Sequence, residues 1–182
     1  MDAPFTDVDT LRVCTEADVP TFLGIINAAA EAYRGVIPAD RWHDPYMTED
    51  ELRAELAAGV AFMGLERDGI LAGVMGMQQV KNVSLIRHAY VRPECQGRGI
   101  GAALLKCLIT DPDRPILIGT WAAADWAIRF YERNGFSLVS EVVKAPLLMT
   151  YWRIPYRQVE TSVVLASPAL SEDQAVALIK AA

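Results

Sequence analysis

The segment from Val91 to Leu105, VRPECQGRGIGAALL, constrains the fold more than any other. It follows an apolar strand-like run, SLIRHAYV, and leads into a helix-like run, AALLKCLI, so a strand must turn directly into a helix. Gly97, Gly99 and Gly101 alternate through the connection. Without a Cβ, glycine reaches φ > 0 or lets backbone approach a ligand closely. A helix N-terminus adds unpaired N–H groups and a partial positive charge. Together these features form a cradle for a phosphate or pyrophosphate.

The rest of the chain narrows the setting. Its 182 residues, 52% hydrophobic and 22% charged, suffice for one folded domain. A net charge of −6 argues against non-specific nucleic-acid binding. The three cysteines, Cys14, Cys95 and Cys107, are odd in number and show no CxxC spacing, which fits a reduced, cytoplasmic setting. The first ten residues, MDAPFTDVDT, are acidic and lack the apolar run of a signal peptide. No apolar run has the length of a membrane span. His43 and His88 are far apart in sequence and give no metal-ligand spacing, so no metal is expected.

Periodicity and punctuation predict the elements. Leu11 to Cys14 reads as a short strand. Glu16 to Tyr33 reads as a helix, with Val19, Phe22, Leu23 and Ile26 at helical spacing. Arg34 to Met47 is a loop. Thr48 to Glu51 forms a capping box that opens a helix ending near Gly59. Val60 to Arg67 and Ile70 to Val80 form a hairpin around Asp68-Gly69. Ser84 to Val91 is a strand, followed after the glycine loop by a helix from about Gly101 to Thr110. Pro112 and Pro115 bracket a connection to the buried strand Ile116 to Trp121. Ala122 to Asn134 is an amphipathic helix stopped by Gly135. Phe136 to Val143 reads as a strand, Lys144 to Arg157 as helix plus turn, and Gln158 to Leu165 as the last strand on its β-branched run. Ser171 caps a terminal helix over about 171–180. This order predicts a mixed sheet covered by helices on both faces.

Two phosphate-binding classes fail on the residues. A P-loop requires a Lys-Ser/Thr pair after its last glycine, and Gly101 is followed by Ala102-Ala103. Gly97, Gly99 and Ala102 formally match a dinucleotide fingerprint, but the next strand, ILIGTW, ends without the acidic residue that motif needs.

The run from Val91 through Gln96, Gly99, Gly101 and Leu104 resembles motif A of the GNAT superfamily of acyl-CoA N-acyltransferases, V-x-P-x-x-Q-x-x-G-x-G-x-x-L. A second block, AIRFYERNGF from Ala127 to Phe136, resembles the family's helix-turn-strand A-x-x-F-Y-E-x-x-G-F. The blocks occur in the family's order, with one strand between them. The resemblance implies a single domain over 1–182 with a core of about 11–166. Its sheet would have about seven mostly antiparallel strands, in an α/β (or α+β) fold. It also implies acetyl-CoA as co-substrate. Backbone N–H groups of Gln96, Gly97, Arg98, Gly99, Ile100, Gly101 and Ala102 would hold the pyrophosphate, with Arg98 also a candidate for phosphate contact. The strand edge at Ala89, Tyr90 and Val91 would pair with pantetheine and polarise the thioester carbonyl.

Acyl transfer to an amine requires a deprotonated amine, a stabilised oxyanion and a departing thiolate. The resemblance gives Tyr131 the place facing the departing sulfur. A thiol near pKa 8.5 and a tyrosine near 10 make full proton transfer uphill by roughly 2 kcal/mol, so a hydrogen bond to the thiolate is expected. Some relatives carry a carboxylate on the strand before that helix, where this chain has ILIGTW. His88 is the strongest candidate for the base, because imidazole titrates near neutrality. Glu31, Glu66 and water are alternatives. Strand alternation puts Ser84, Ile86, His88 and Tyr90 on one face. Ala124 stands where the family often has an asparagine that contacts pantetheine.

By the same resemblance, the first two helices and their connection shape the acceptor site. Tyr33, Trp42, His43 and Tyr46 are the candidate acceptor-binding residues, and Asp44 could attract a cationic amine. The acceptor would be a small-molecule amine or a peptide N-terminus or lysine, and a homodimer stays open. The leading reading is an acetyl-CoA-dependent N-acetyltransferase. The alternative is a catalytically silent acyl-CoA-binding sensor, which the missing carboxylate and Ala124 favour and Tyr131 opposes.

Overall fold

A computed structural model describes residues 9–111 and 113–182. The readings that fall on residues 1–8 and on Pro112 lie outside the described residues. Seven strands form one sheet in the order β1-β2-β3-β4-β5-β7-β6: β1 Asp9–Val13, β2 Ala61–Arg67, β3 Ile70–Val80, β4 Val83–Val91, β5 Ile116–Trp121, β6 Ser137–Leu138 and β7 Ser162–Ser167. The helices are α1 Val19–Ala30, α2 Glu49–Ala57, α3 Ile100–Leu108, α4 Asp125–Arg133, α5 Glu141–Tyr151, α6 Tyr156–Glu160 and α7 Glu172–Lys180. β4 and β5 run parallel. β1 with β2, β5 with β7 and β6 with β7 run antiparallel. The expected mixed, mostly antiparallel seven-stranded sheet is therefore present.

The described residues divide into two compact units. One gathers the chain up to Glu31 with Pro45–Gly76 and His88–Leu108; the other gathers Ala32–Asp44, Met77–Arg87 and Ile109–Ala182.

In the first unit, α1 buries Val19, Phe22, Ile25, Ile26, Ala29 and Ala30, the stripe that a helical period requires. α2 begins at the predicted capping box: Thr48 N–H donates to Glu51 Oε2 at 2.7 Å, and Glu51 N–H donates to Thr48 Oγ1 at 3.3 Å. Leu52 is the buried residue of α2 and fixes its inward face against Phe22, Phe62 and Val74. Glu55, one turn on, shares that face. β2 and β3 are joined by Asp68 and Gly69, both at positive φ, as a tight hairpin turn requires.

In the second unit, α5 turns Val143, Leu147, Leu148 and Tyr151 into a core shared with Val83, Leu85, Leu117, Val159 and Val164. The Tyr151 hydroxyl donates to Asn82 Oδ1 at 2.8 Å, and Asn82 Nδ2 donates to Leu178 O at 2.8 Å, tying α5 to α7. α7 starts at the predicted cap, with Gln174 N–H donating to Ser171 Oγ at 3.2 Å.

Two expected strands differ. The strand expected over Phe136 to Val143 shrinks to Ser137–Leu138, because Ser140 turns the chain and opens α5 at Glu141. Val142 and Val143 are helical despite their β preference, and burial of Val143 in the core decides it. The expected final strand begins at Ser162 rather than Gln158. Pro155 leads the chain into α6, with Gln158 and Val159 N–H both donating to its carbonyl, at 2.8 and 3.2 Å.

Candidate functional site

The glycine connection is held at both ends within the first unit. Arg92 closes β4: its N–H donates to Ala72 O at 2.8 Å and its Nε to Leu71 O at 2.7 Å. A short turn over Pro93–Cys95 follows, and Gln96 Nε2 donates back to Val91 O at 3.2 Å. Gly97 and Gly99 then take φ of +74° and +80°. A Cβ added at either meets nothing within 4 Å, so conformation selects glycine there and the space above the loop is open. α3 starts at Ile100, with Ala103 N–H donating to Gly99 O at 3.0 Å. Gly101 therefore lies in the first turn of the helix, which starts one residue before its expected start. The first-turn N–H groups have no acceptor inside the helix. Arg98 is exposed.

Gly73 on β3 has a different role. A Cβ there would lie 2.8 Å from Ile100 Cγ2 and 3.2 Å from Tyr90 O. Its missing side chain lets the start of α3 and the end of β4 pack closely on β3. Tyr90 packs against the Phe22–Phe62 cluster. The β4–β5 register runs from Ser84 with Ile116 to Ile86 with Ile118. Ala89, Tyr90 and Val91, the expected pantetheine edge, are half-buried beyond its end.

His88 adopts φ +52°, a left-handed conformation in mid-strand. Its backbone departs locally from extended strand geometry. Its ring stacks on Phe62, with centroids 5.9 Å apart and planes at 25°, while Tyr90 packs against the cluster that contains Phe62. The His88 Nε2 lies 3.4 Å from Glu55 Oε2, with the two side chains 14% and 24% exposed. Glu66, a weaker candidate base, accepts Arg12 Nε at 2.7 Å and is engaged there. Glu31 is exposed.

Tyr131 belongs to the second unit. It is the buried residue of α4, only 7% exposed. Phe130 and Phe136 meet its ring edge-on at 5.0 and 6.0 Å. Burial, and secondarily the neighbouring Tyr33, raise its phenol pKa well above the usual tyrosine range. Tyr33 pairs with Trp126 at 5.5 Å between centroids. The Arg34 guanidinium lies 4.6 Å above the Trp42 ring and binds Asp44 Oδ2 at 3.1 Å. Asp44 thus already has a cationic partner. His43 is exposed, and Tyr46 packs against the core of the first unit. Of the expected acceptor residues, Tyr33 and Trp42 are held in aromatic and cation–π contacts respectively. Ala124 is fully buried and opens α4 through its carbonyl, which accepts from Ala127 and Ile128 N–H at 2.9 and 3.1 Å.

Sequence reasoning missed Trp126 and Glu55. Trp126 was visible as a large aromatic at an exposed helix start. Glu55 carries no local signal, because its contact with His88 is made only by the fold.

The comparisons agree with this architecture. The family model for the acetyltransferase (GNAT) domain matches residues 14–149. The chain is an acetyltransferase-fold protein and belongs to the GNAT family. Among solved structures, it is similar to the PaiA N-acetyltransferase of Thermoplasma acidophilum in complex with coenzyme A, at 16% identity and TM-score 0.64, covering 87% of this chain and 98% of that one. It is similar to the ribosomal-protein-S18-alanine N-acetyltransferase of Escherichia coli, at 18% identity and TM-score 0.60, covering 87% and 92%. It is also similar to yncA of Salmonella typhimurium, a putative acetyltransferase with its cofactor acetyl-CoA, at 22% identity and TM-score 0.56, covering 72% and 81%. No curated protein matches the chain. Among the described residues, no helix is long and apolar enough to cross a membrane.

Proposed function

We propose that this protein is an N-acetyltransferase that takes the acetyl group of acetyl-CoA and places it on an amine. The observation that carries this reading is the β4–loop–α3 connection of a GNAT-family chain. There, two left-handed glycines, open space above them and the N–H groups of a helix start lie in one short run. These features fit a pyrophosphate: it needs close backbone approach and convergent N–H donors, and a side chain at Gly97 or Gly99 would strain both. Gln96 to Ala102 would hold it, and Ala89 to Val91 would bind the pantetheine amides.

Acetyl-CoA supplies an activated carbonyl and a thiolate that leaves as the C–S bond breaks and the amide C–N bond forms. His88 takes the proton that the attacking amine must lose. Tyr131 donates a hydrogen bond toward the sulfur. Its raised pKa widens the gap to a thiol, which makes hydrogen bonding, rather than full proton transfer, its contribution. Tyr33, Trp126 and Trp42 are the aromatic groups offered to the acceptor, a small-molecule amine or a peptide N-terminus or lysine.

The test is thiol release from acetyl-CoA against a panel of amines, amino acids and peptides, alongside calorimetric titration with coenzyme A. Turnover with at least one amine is expected. Saturable binding without turnover on any acceptor would favour the silent sensor. No binding at all would remove the cofactor assignment.

A further inference from the structure

Two constraints fix His88, its left-handed backbone and the stacked Phe62 ring, and the Glu55 carboxylate lies beside it at a distance short of a hydrogen bond. The stack fixes the ring plane. The carboxylate acts on rotation within that plane, because its oxygen lies 3.4 Å from Nε2 and both atoms are shielded from solvent. A carboxylate accepts hydrogen bonds and cannot donate one when ionised. A neutral imidazole carries its proton on one nitrogen, and the partner of that nitrogen selects the tautomer. Small rotations close 3.4 Å to a hydrogen bond, and such bonds are often long before substrate binds.

We propose that Glu55 is the positioning residue for His88: it holds the imidazole as the Nε2–H tautomer, leaving Nδ1 as the atom that accepts the amine's proton. This deepens the acetyltransferase reading and rests on it for the catalytic half. The tautomer half stands on geometry alone. Glu55 is set up for the role by α2, where Leu52 anchors the inward face and Glu55 follows one turn later. The proton taken at Nδ1 creates an imidazolium, and the carboxylate at Nε2 stabilises that charge without itself taking the proton.

The chain has two histidines, so imidazole nitrogen NMR resolves the question. Long-range proton–nitrogen correlations would be recorded on the free protein at a pH where imidazoles are neutral, with His43→Asn assigning the signals. His88 is expected as a single Nε2–H tautomer in the wild type and as a mixture in Glu55→Ala and in the near-isosteric Glu55→Gln. In thiol-release assays both variants are expected to lose on the order of tenfold in kcat or more, with KM for acetyl-CoA unchanged. Removing Glu55 in a His88→Ala background should cost nothing further. An unchanged His88 tautomer in both variants overturns the proposal whatever the activity. A changed tautomer with unchanged kcat overturns its catalytic half. Absence of turnover by the wild type with every amine defeats the acetyltransferase reading instead, while the NMR result still decides the Glu55–His88 relationship.

Discussion

Tyr131 and Phe136 are joined twice: their rings meet edge-on at 6.0 Å, and the Tyr131 carbonyl accepts the Phe136 N–H at 3.1 Å. Gly135, at φ +87°, makes the turn that returns Phe136 to the helix end. The phenol ring is thus held by its aromatic neighbours and its own backbone. Tyr131→Phe is expected to keep the fold and lose about 100-fold in kcat with acetyl-CoA and the best amine. Unchanged turnover would show that the hydroxyl takes no part.

The same phenol makes stability depend on alkaline pH. Burial and Tyr33 raise its pKa above the ordinary 10.0, so the folded chain holds this proton more tightly than the unfolded chain. That contribution is complete below pH 10 and is lost as pH rises above it. Thermal unfolding should therefore shift to lower temperature above pH 10, and Tyr131→Phe should flatten the decline. Burial of Tyr151 acts in the same direction, so part of the slope should remain in the single variant. An identical slope in wild type and Tyr131→Phe would contradict the assignment.

Acid acts through a different pair. Arg12 binds Asp18 through Nη1 and Nη2, at 2.9 and 2.7 Å, while its Nε binds Glu66. The guanidinium first, then the Thr15 N–H, hold the Asp18 carboxyl well below its ordinary 3.8. Its stabilisation is present above pH 3.8 and fades as pH falls below it. Asp18→Asn should cost about 2 kcal/mol in denaturant titrations at pH 7. The difference from wild type should narrow in acid; a constant difference would mean that charge is not its source.

The glycines separate strain from collision. Gly99→Ala meets open space but must hold φ +80°, which costs about 1–2 kcal/mol. Gly73→Ala keeps ordinary backbone but collides with Ile100 and the Tyr90 carbonyl. Both should weaken coenzyme A binding in calorimetry, Gly99→Ala by distorting the loop and Gly73→Ala by displacing the start of α3. Full affinity in Gly99→Ala would dissociate the loop from the cofactor.

Cysteine chemistry gives a quick check on burial. Burial pushes the Cys14 thiol up to about 11. At neutral pH its thiolate fraction is on the order of one in ten thousand, so an aromatic disulfide reagent should label it far more slowly in the folded than in the unfolded protein. Rapid labelling of Cys14 in the folded state would contradict the packing around Gly64, whose added Cβ would lie 2.9 Å from Cys14 Sγ.

Local signals were legible where a single residue type fixes the backbone. The Thr48 and Ser171 boxes, the Asp68-Gly69 turn and the glycine loop all lie where the sequence puts them. Elements decided by packing were not. Val142, Val143 and Val159 favour strands by type, yet helices α5 and α6 bury Val143 and Val159 in one core. His88 was visible as a candidate base, but its left-handed backbone and its Glu55 and Phe62 contacts are made by α2, β2 and β4 together. Asp44 reads as open to an amine, but the fold brings Arg34 beside it.

The sheet order also bears on self-association. An unpaired strand edge is a template for another chain, and this sheet ends on β1 and β6. β6 offers only two residues, too few to seed a ladder. Along β1, Asp9 and Arg12 are engaged by Arg67 and Glu66 on β2, so incoming backbone would meet a fringe of fixed charge. β6 is thereby a poor template for strand addition, and any such growth would have to start from β1, where Leu11 and Val13 are exposed beside the charged pairs.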